Sequence, residues 1–303
     1  MLPRRHLLAG CLLASCGRAT LPRIAVVPKA TAHLFFVSIH AGVDRAAKEF
    51  GVQVLWNGPN EETEHSRQIQ IVDAFIAQRV DALAISATDE RALVAPLERA
   101  MAAGIPVSVF DSAVNFEDYV TFVATDNHAA GCQAAREIGR LIQGQGSVAM
   151  VMQKPGGAST GLRERGFQET LEREFPAVRL VARQFGMGDR ARSRAAAENI
   201  LTAHPRLDAM FGSSEAASIG IIQAVESRGR AGQVKIVSFD NSDIHRAALH
   251  GGTLDVMLVQ DPDKIGYEAV RSLVLKLRGE VPAHRLDLPV RRFTRENAAG
   301  LQS

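Results

Sequence analysis

Four residues that could hold a small ligand lie near the start of the chain. Lys29, His33, Phe35 and Phe36 stand between an apolar segment at 24–27 and a helical pattern. Charged and aromatic side chains at the carboxyl end of a strand are typical of the ligand-binding edge of an open α/β sheet, because side chains and helix amino-termini converge there. The two phenylalanines could equally be the first core residues of the helix.

Two carboxylates, Asp111 and Asp240, each come directly after an apolar segment. Such a pair could act as the acid and base of a glycosidase, accept hydrogen bonds from a bound ligand, or cap the following helices. The acid of a glycosidase needs a raised pKa, and the nearby cations Lys29 and Arg165 should lower the pKa of both carboxyls. The sequence therefore favours binding without turnover, and we assign no catalytic residue.

Motifs for metals and phosphates are absent from the sequence. The nine histidines are scattered without metal-ligand spacing, so we expect no metal site. The glycine-rich string at 144–148 precedes an apolar segment instead of following one, and no Gly-Lys-Ser or Gly-Lys-Thr string occurs, so we expect no cofactor either. Cys132 lies in a helical pattern and is expected to be a small buried residue.

Length and charge restrict the class of protein. The chain has 303 residues, of which 46% are hydrophobic, enough for two domains of ordinary size. Its 35 basic and 33 acidic residues are interleaved and give a formal charge of +2. Neither a nucleic-acid surface nor a polybasic membrane patch is expected from this pattern.

Residues 1–16 have the features of an export signal. Arg4 and Arg5 precede an apolar run at 7–14 that is too short to span a bilayer. The string Leu-Ala-Ser-Cys at 13–16 is similar to a bacterial lipobox, which predicts acylation of Cys16 and membrane contact through a lipid anchor alone. A plain signal peptide is the alternative, and the arginine pair leaves the export route open between the general and twin-arginine systems.

After the signal, short apolar strands alternate with amphipathic helical patterns. Strands are predicted at 24–27, 52–56, 82–86, 106–110, 147–152, 178–182, 209–212, 235–239 and 255–260. Continuous hydrophobicity in the strands, with helical crossovers between them, indicates parallel sheets covered on both faces. The predicted fold class is α/β with doubly wound parallel sheets.

An internal repeat divides the chain into two similar halves. Three pairs of strings occur in the same order with offsets of 127, 129 and 124 residues: 80–90 with 207–217, 105–112 with 234–241, and 40–43 with 164–167. Three ordered pairs at nearly one offset indicate a tandem βα architecture. Two such lobes facing each other would point the carboxyl ends of both sheets into one cleft.

From about residue 23 to 290 the chain resembles the periplasmic sugar-binding proteins of the ribose-binding type, which share their fold with the effector domains of the lac repressor family. The resemblance rests on the order of seven strings: FFVSIHAGVDRAAKEFGVQV, GIPVSVFDS, TFVATDNHAAG, RERGFQ, NILTAHPRLDAMF, VSFDN and VQDPDKIGYEAV. It implies the type I periplasmic binding fold, in which two doubly wound lobes are joined by three hinge strands.

The resemblance also places the lobe boundaries. It implies one lobe from 23–125 plus 261–288 and another from 126–260 plus 289–303. The implied hinge crossings are at three pairs of residues: Thr125 and Asp126, Gln260 and Asp261, and Pro289 and Val290.

The same resemblance assigns roles to individual residues. It implies that Phe35 and Phe36 stack on a sugar ring. It implies that the ring hydroxyls are bound by four polar side chains, those of Asp111, Arg165, Asp240 and Gln260, where a charged partner gives the stronger hydrogen bond.

The sequence departs from the ribose-binding pattern at several of these positions. His33 replaces an asparagine, Ser112 a basic residue and Ser214 a second asparagine, and a family aromatic residue falls on Gly188. These departures argue against a ribose pocket. Lys29 is an additional donor that also occurs in binders of furanosyl autoinducers, and together with Arg165 it suggests a more anionic or more highly oxygenated ligand.

Three functional classes follow from these observations. The first is a solute-binding lipoprotein of the periplasm that captures a sugar-like ligand and delivers it to a membrane ABC permease. The second is a binding protein that presents a sugar or a furanosyl autoinducer to a membrane sensor, and the third is a glycosidase. A related transcriptional regulator would need an amino-terminal helix-turn-helix, whereas this chain starts with an export signal.

Overall fold

The computed structural model describes residues 21–300 and shows two lobes, each built on a six-stranded sheet. The first lobe contains β1 (Arg23–Val27), α1 (Leu34–Phe50), β2 (Gln53–Trp56), α2 (His65–Ala77), β3 (Ala82–Ile85), α3 (Val94–Ala102), β4 (Val107–Phe110), β5 (Thr121–Thr125), α9 (Pro262–Leu277) and β11 (Arg285–Leu288). Its strand order is β11-β5-β4-β3-β1-β2, and its strand pairs are all parallel.

The second lobe repeats this plan. It contains α4 (Asn127–Leu141), β6 (Gly146–Met152), α5 (Ala158–Glu174), β7 (Val178–Phe185), α6 (Arg190–Ala203), β8 (Ala209–Gly212), α7 (Glu215–Ser227), β9 (Lys235–Phe239), α8 (Asp243–Gly251), β10 (Val256–Val259), β12 (Arg291–Phe293) and a short 3-10 helix (Ala298–Gly300). The strand order is β12-β10-β9-β8-β6-β7, with only β12 antiparallel to its neighbour. The predicted fold class, two doubly wound parallel-sheet lobes, is confirmed.

Both faces of each sheet are covered by helices, as continuous hydrophobicity in the strands predicts. In the first lobe, α1 and α9 cover one face, and α2 and α3 cover the other. In the second lobe, α4 and α5 pack on one face, with α6, α7 and α8 opposite. Strands such as β3 and β8 are therefore buried along their whole length.

The nine predicted strands are all present, and each begins within one residue of its predicted start. Three further strands, β5, β11 and β12, lie outside the predicted set. The sequences of β11 (RLDL) and β12 (RRF) carry charged residues because each occupies the edge of its sheet. Edge strands need bury less of their surface, so they lack the apolar run used to recognise a central strand.

The chain passes between the lobes three times: after β5, after β10, and between β11 and β12. The first two crossings lead directly into α4 and α9, which pack in the lobe opposite to the strand that precedes them. Each of these helices is capped by an aspartate, since Asp126 accepts from the backbone N–H of Ala129 at 3.0 Å and Asp261 from that of Lys264 at 3.1 Å. Each of these two crossings therefore leads directly into a helix whose amino-terminus is capped.

Paired glycines bring two helices into backbone contact in each lobe. A Cβ atom would clash with a carbonyl oxygen of the partner helix in all four cases: Gly42 with Asp263 at 1.9 Å, Gly266 with Ile39 at 2.2 Å, Gly131 with Arg163 at 1.9 Å, and Gly166 with His128 at 2.3 Å. The crossing of α1 with α9 is therefore equivalent to the crossing of α5 with α4. This equivalence explains why HAGV and ERGF recur in the sequence.

Three remaining expectations concern contact with the membrane, Cys132 and the amino terminus. No helix within residues 21–300 is both long enough and apolar enough to cross a bilayer. Cys132 is buried in α4. The predicted signal at 1–16 and its acylated Cys16 lie outside the described residues.

Candidate functional site: the cleft between the lobes

The loops at the carboxyl ends of both sheets meet around one small cavity. The first lobe contributes Lys29, His33, Phe35, Phe36, Glu62 and Asp111, and the second contributes Gln153, Ser159, Thr160, Arg163, Ser214, Glu215, Ala216, Asp240 and Gln260. The cavity volume, counted as space for the centre of a water molecule, is about 40 Å³. Small-molecule sites usually measure about 300–1,000 Å³, so the lobes must separate before a solute of sugar size can enter.

Asp111 and Asp240 occupy equivalent places in the two lobes. Each follows the last residue of a central strand, β4 or β9, and each has a left-handed backbone with φ of 57° and 72° respectively. Aspartate tolerates this conformation better than most residues do. Neither side chain caps the helix that follows it in the chain, and α8, which follows Asp240, is capped by Ser242. The shared backbone geometry places both carboxyl groups at the same cavity.

Lys29 is almost fully buried beside two carboxylates. Its Nζ lies 3.1 Å from Asp111 Oδ2 and 3.9 Å from Glu62 Oε2, and it donates to Ser159 Oγ across the cleft at 3.3 Å. Burial alone lowers the pKa of Lys29, but Asp111 and Glu62 outweigh it and the pKa is raised. The ammonium group is therefore charged and already neutralised by protein carboxylates.

Glu62 joins this cluster from the loop between β2 and α2. Burial would raise its pKa, yet Lys29 and the ring of His33, whose Nδ1 lies 3.5 Å from Glu62 Oε1, hold the pKa of Glu62 well below its usual range. Burial likewise lowers the pKa of His33, and the hydrogen bond and charge of Glu62 reverse this effect and raise it. The first-lobe half of the cavity is thus a connected set of ion pairs.

The cationic residue of the second lobe is Arg163, which is 2% exposed. Its guanidinium lies 3.3 Å above the centre of the Phe239 ring and donates to Asn127 Oδ1 at 2.7 Å and to the carbonyl of Ser213. Its Nε has no hydrogen-bond partner among the described residues. Burial lowers the pKa of Arg163 to about 10, so it remains a cation at neutral pH, with its Nε–H donor unused.

Arg165, which was expected to bind the ligand, does not line this cavity. Arg165 is exposed and lines a separate surface groove with Glu90 and Gln168. The two arginines are two residues apart on α5, and successive helical residues are about 100° apart around the axis, so they face nearly opposite directions. The sequence RERGF contains both arginines, and only the helix phase decides which one faces the cavity.

Ser112 is likewise not brought into the cavity. It follows Asp111 and is fully buried, but it is not among the lining residues. The expectation that Ser112 contacts the ligand is therefore not supported by its position.

Asp240 has a raised pKa. Burial raises the pKa of Asp240 to about 6, although the charge of Arg163 and the hydrogen bond from Gln260 oppose the shift. The expectation that neighbouring cations lower the pKa of both carboxyls therefore fails for Asp240, because desolvation is the larger effect. Oδ1 accepts from Gln260 Nε2 at 2.7 Å, and Oδ2 accepts from the backbone N–H of Glu215 at 3.1 Å.

Gln260 connects this carboxyl group to a lobe crossing. It follows β10, and its Oε1 accepts from Thr125 Oγ1 at the end of β5 at 2.7 Å. Ser214 is the cap of α7, since its Oγ accepts from the backbone N–H of Ala217, and the same hydroxyl group is bonded to Gln153. The polar side chains on this side of the cavity therefore form hydrogen bonds with one another and with Thr125 of the first lobe.

Two phenylalanines form the apolar wall. The rings of Phe35 and Phe36 lie edge to face with centroids 5.2 Å apart and an angle of 81°. Phe36 is 1% exposed and packs into the first-lobe core, so it is both a core residue of α1 and part of the cavity lining. The two alternatives that the sequence left open for this pair are therefore compatible.

Several cavity residues lie outside the predicted site. Ser159, Thr160 and Arg163 face the cavity from the first two turns of α5, and Glu62 comes from a loop without periodicity. Gln153 follows β6 directly, so the rule that polar residues at strand ends form the site would have found it. Within residues 21–300 the structure contains no cluster of side chains suited to a metal ion.

Two doubly wound lobes that enclose a buried polar cavity at their strand ends define a hinged ligand-binding protein. The chain belongs to the family described as "Periplasmic binding protein domain", whose model matches residues 24–280. The family resemblance inferred from the sequence is thereby confirmed, and the family implies an extracytoplasmic location.

Relatives and solved structures agree with this assignment. The chain is 28% identical to the D-ribose/D-allose-binding protein of Pseudomonas aeruginosa over 93% of this chain and 94% of that protein. It is also 28% identical to the ribose import binding protein RbsB of Bacillus subtilis over 86% and 84% of the two chains. A solute-binding protein of Agrobacterium radiobacter in complex with D-arabinose superposes with a TM-score of 0.90 at 26% identity, covering 93% of this chain and 97% of that one.

Proposed function

We propose that this protein is an extracytoplasmic solute-binding lipoprotein that captures a sugar or sugar-like ligand in the cleft and delivers it to an ABC-type permease. The observation that carries this proposal is the pairing of Asp111 and Asp240, which reach one cavity from equivalent strand ends of the two lobes. Carboxylates accept hydrogen bonds from hydroxyl groups, and the rings of Phe35 and Phe36 offer apolar faces to C–H groups.

The ligand class is supported by what similar proteins bind. The relatives named above are binding proteins for ribose and allose, and a solute-binding protein of Agrobacterium vitis, with a TM-score of 0.88, 28% identity and coverage of 92% and 96%, holds alpha-D-tagatopyranose. These ligands are pentoses and hexoses with many hydroxyl groups. A cavity that presents acceptors and donors from both lobes suits the same chemistry.

The charges of the cavity favour a neutral sugar over an anionic one. Lys29 is paired with carboxylates, and Arg163, not Arg165, is the second cation. The lining also contains four carboxyl groups, those of Glu62, Asp111, Glu215 and Asp240. A negatively charged ligand would meet more like charges than free cations.

The test is a thermal-shift panel of neutral pentoses, hexoses and polyols, with sugar acids as the charged comparison. A ligand present at 100 times its dissociation constant should add about 2.7 kcal/mol to the free energy of unfolding. We expect a neutral sugar to give this shift in the wild type and no shift in Asp240→Ala. A panel in which no neutral sugar stabilises the protein contradicts the proposal, and consumption of the sugar would identify an enzyme instead.

Lipid anchoring and delivery are further parts of the proposal. They are supported by the lipobox-like string at 13–16 and by the names of the import binding proteins to which the chain is similar. Replacement of Cys16 by alanine should release the protein from membranes and stop its labelling by palmitate. Addition of the loaded protein to a permease in vesicles should increase ATP hydrolysis, and no increase would favour delivery to a membrane sensor.

A further inference from the structure

A second cavity adjoins the cleft at one side, and we call it the vestibule. Its volume, measured in the same way as that of the cleft, is about 290 Å³, against about 40 Å³ for the cleft itself. Its outer lining comes from the loop after β2, with Asn60 and Glu61, and from the turn before α6, with Gly188, Asp189 and Arg190. The vestibule is therefore also formed by both lobes.

The cleft and the vestibule share one wall. Four residues line both cavities: His33 and Glu62 from the first lobe, and Glu215 and Ala216 from the second. His33 Nδ1 lies 3.5 Å from Glu62 Oε1, and Arg190 Nη2 lies 2.5 Å from Glu215 Oε1. Each half of the wall is thus held by a contact within its own lobe, so separation of the lobes would part the two halves and join the cavities.

The second-lobe lining of the vestibule includes a glycine that packs closely against the cleft. Gly188 has φ of +74°, and a Cβ there would lie 3.1 Å from Nε2 of Gln153, which lines the cleft. The backbone of Gly188 therefore lies directly behind a cleft side chain.

The charges of the vestibule define which group could occupy it. Four carboxyl groups line it, those of Glu61, Glu62, Asp189 and Glu215. The guanidinium of Arg190 is already paired with Glu215. Hydroxyl groups would find acceptors here, whereas a phosphate or sulfate would meet like charges.

We propose that the protein binds a sugar carrying an O-linked, hydroxylated substituent, with the first ring in the cleft and the substituent in the vestibule. The ligand class is thus a short neutral glycoside, such as a disaccharide, and a sugar phosphate is excluded by the lining carboxylates. This inference rests on the proposed function of the cleft. It adds a second subsite formed by both lobes.

The test compares calorimetric affinities for a stabilising monosaccharide, for disaccharides in which that sugar is linked through each of its oxygens, and for its phosphate esters. We expect the dissociation constant of at least one disaccharide to lie within a hundredfold of that of the monosaccharide. The dissociation constant of each phosphate ester should exceed that of the monosaccharide by more than a hundredfold. Asn60→Trp, an exposed vestibule position, should weaken the disaccharide at least tenfold and leave the monosaccharide unchanged. Glu98→Trp, on the exposed side of α3, is the matched control.

The outcomes separate this inference from the function on which it rests. If the monosaccharide binds and every disaccharide is weakened more than a hundredfold, the vestibule is not a subsite and the cleft assignment stands. If a disaccharide binds equally well to Asn60→Trp, its second ring lies elsewhere and the inference is wrong. If no monosaccharide or disaccharide binds, the proposed function itself is wrong.

Discussion

Arg163 and Arg165 are chemically identical residues on one helix that differ only in what surrounds them. Arg163→Met should weaken sugar binding by at least tenfold, because a hydrogen bond from a charged donor contributes about 1.5–3 kcal/mol. Arg165→Met should leave affinity within twofold of wild type, since Arg165 is exposed and outside the cavity. Calorimetric titration of both variants measures which of the two arginines contributes to ligand binding. Equal losses in the two variants would show that the orientation of α5 has been misassigned.

Asp240 should make stability depend on pH in a defined direction. Its pKa of about 6 in the folded protein exceeds the ordinary value of 3.8, so the folded state binds the proton more tightly than the unfolded state. The stabilisation is present below about pH 4 and is lost as the pH rises through 6, by roughly 3 kcal/mol for a shift of about 2 pKa units. The free energy of unfolding of the wild type, measured in urea, should therefore fall relative to that of Asp240→Asn across this window. Parallel curves for the two proteins would contradict the assignment.

Sequence reasoning found most of the site residues that follow central strands but missed Gln153, which directly follows β6. Asp111 and Asp240 were singled out because parallel strands end at one edge of a sheet, a rule that needs no three-dimensional information, and the family resemblance added Gln260. Glu62 lies in a loop with no periodic signal, so nothing in the sequence pointed to it. Arg165 was assigned from the family resemblance, whereas the phase of α5 turns Arg163 towards the cavity.

At the level of helices, the glycine contacts predict a large effect from one methyl group. Gly131→Ala would place a Cβ 1.9 Å from the carbonyl oxygen of Arg163, so α4 and α5 must move apart. Overpacking of this kind costs about 1–3 kcal/mol, and the shift should also weaken ligand binding because α5 carries Arg163. Chemical denaturation and calorimetry would measure the two effects.

The control for this prediction is Gly251→Ala. Gly251 is also helical, and a Cβ there would contact nothing within 4 Å. This variant should be neutral or stabilised by up to about 1 kcal/mol, because alanine has the higher helix propensity. A Gly131→Ala protein as stable as Gly251→Ala would show that the two helices are not in backbone contact.

Elements were predictable where burial on both faces leaves a continuous apolar run. The starts of the predicted strands were therefore correct to within a residue, but the central, buried strand β5 was overlooked, and the charged edge strands β11 and β12 left no comparable signal. One repeat was also overlooked. Residues 126–131 and 261–266 each run from a capping aspartate to a glycine in a helix contact, so α4 and α9 are equivalent helices that follow equivalent crossings.

For the whole molecule, the repeat and the resemblance predicted two lobes and one cleft, and they could not predict which contacts hold the lobes together. Such contacts join residues far apart in sequence, and they depend on the closed geometry. Lys154 is an example. It follows β6 in the second lobe, is 3% exposed, and its Nζ donates to the carbonyl of Thr88 in the first lobe at 2.7 Å.

Lys154 should therefore control lobe closure without contacting the ligand, since it is not among the cavity residues. Lys154→Met removes a buried charged hydrogen bond that exists only when the lobes are together, so it should shift the population towards the open form. The apparent dissociation constant rises as the closed fraction falls, and a loss of about 1.5 kcal/mol corresponds to roughly tenfold. We expect this weakening together with a larger radius of gyration in solution scattering. Lys276→Met, at an exposed position of α9, should change neither quantity. If Lys154→Met binds and scatters like wild type, the contact with Thr88 does not hold the lobes closed.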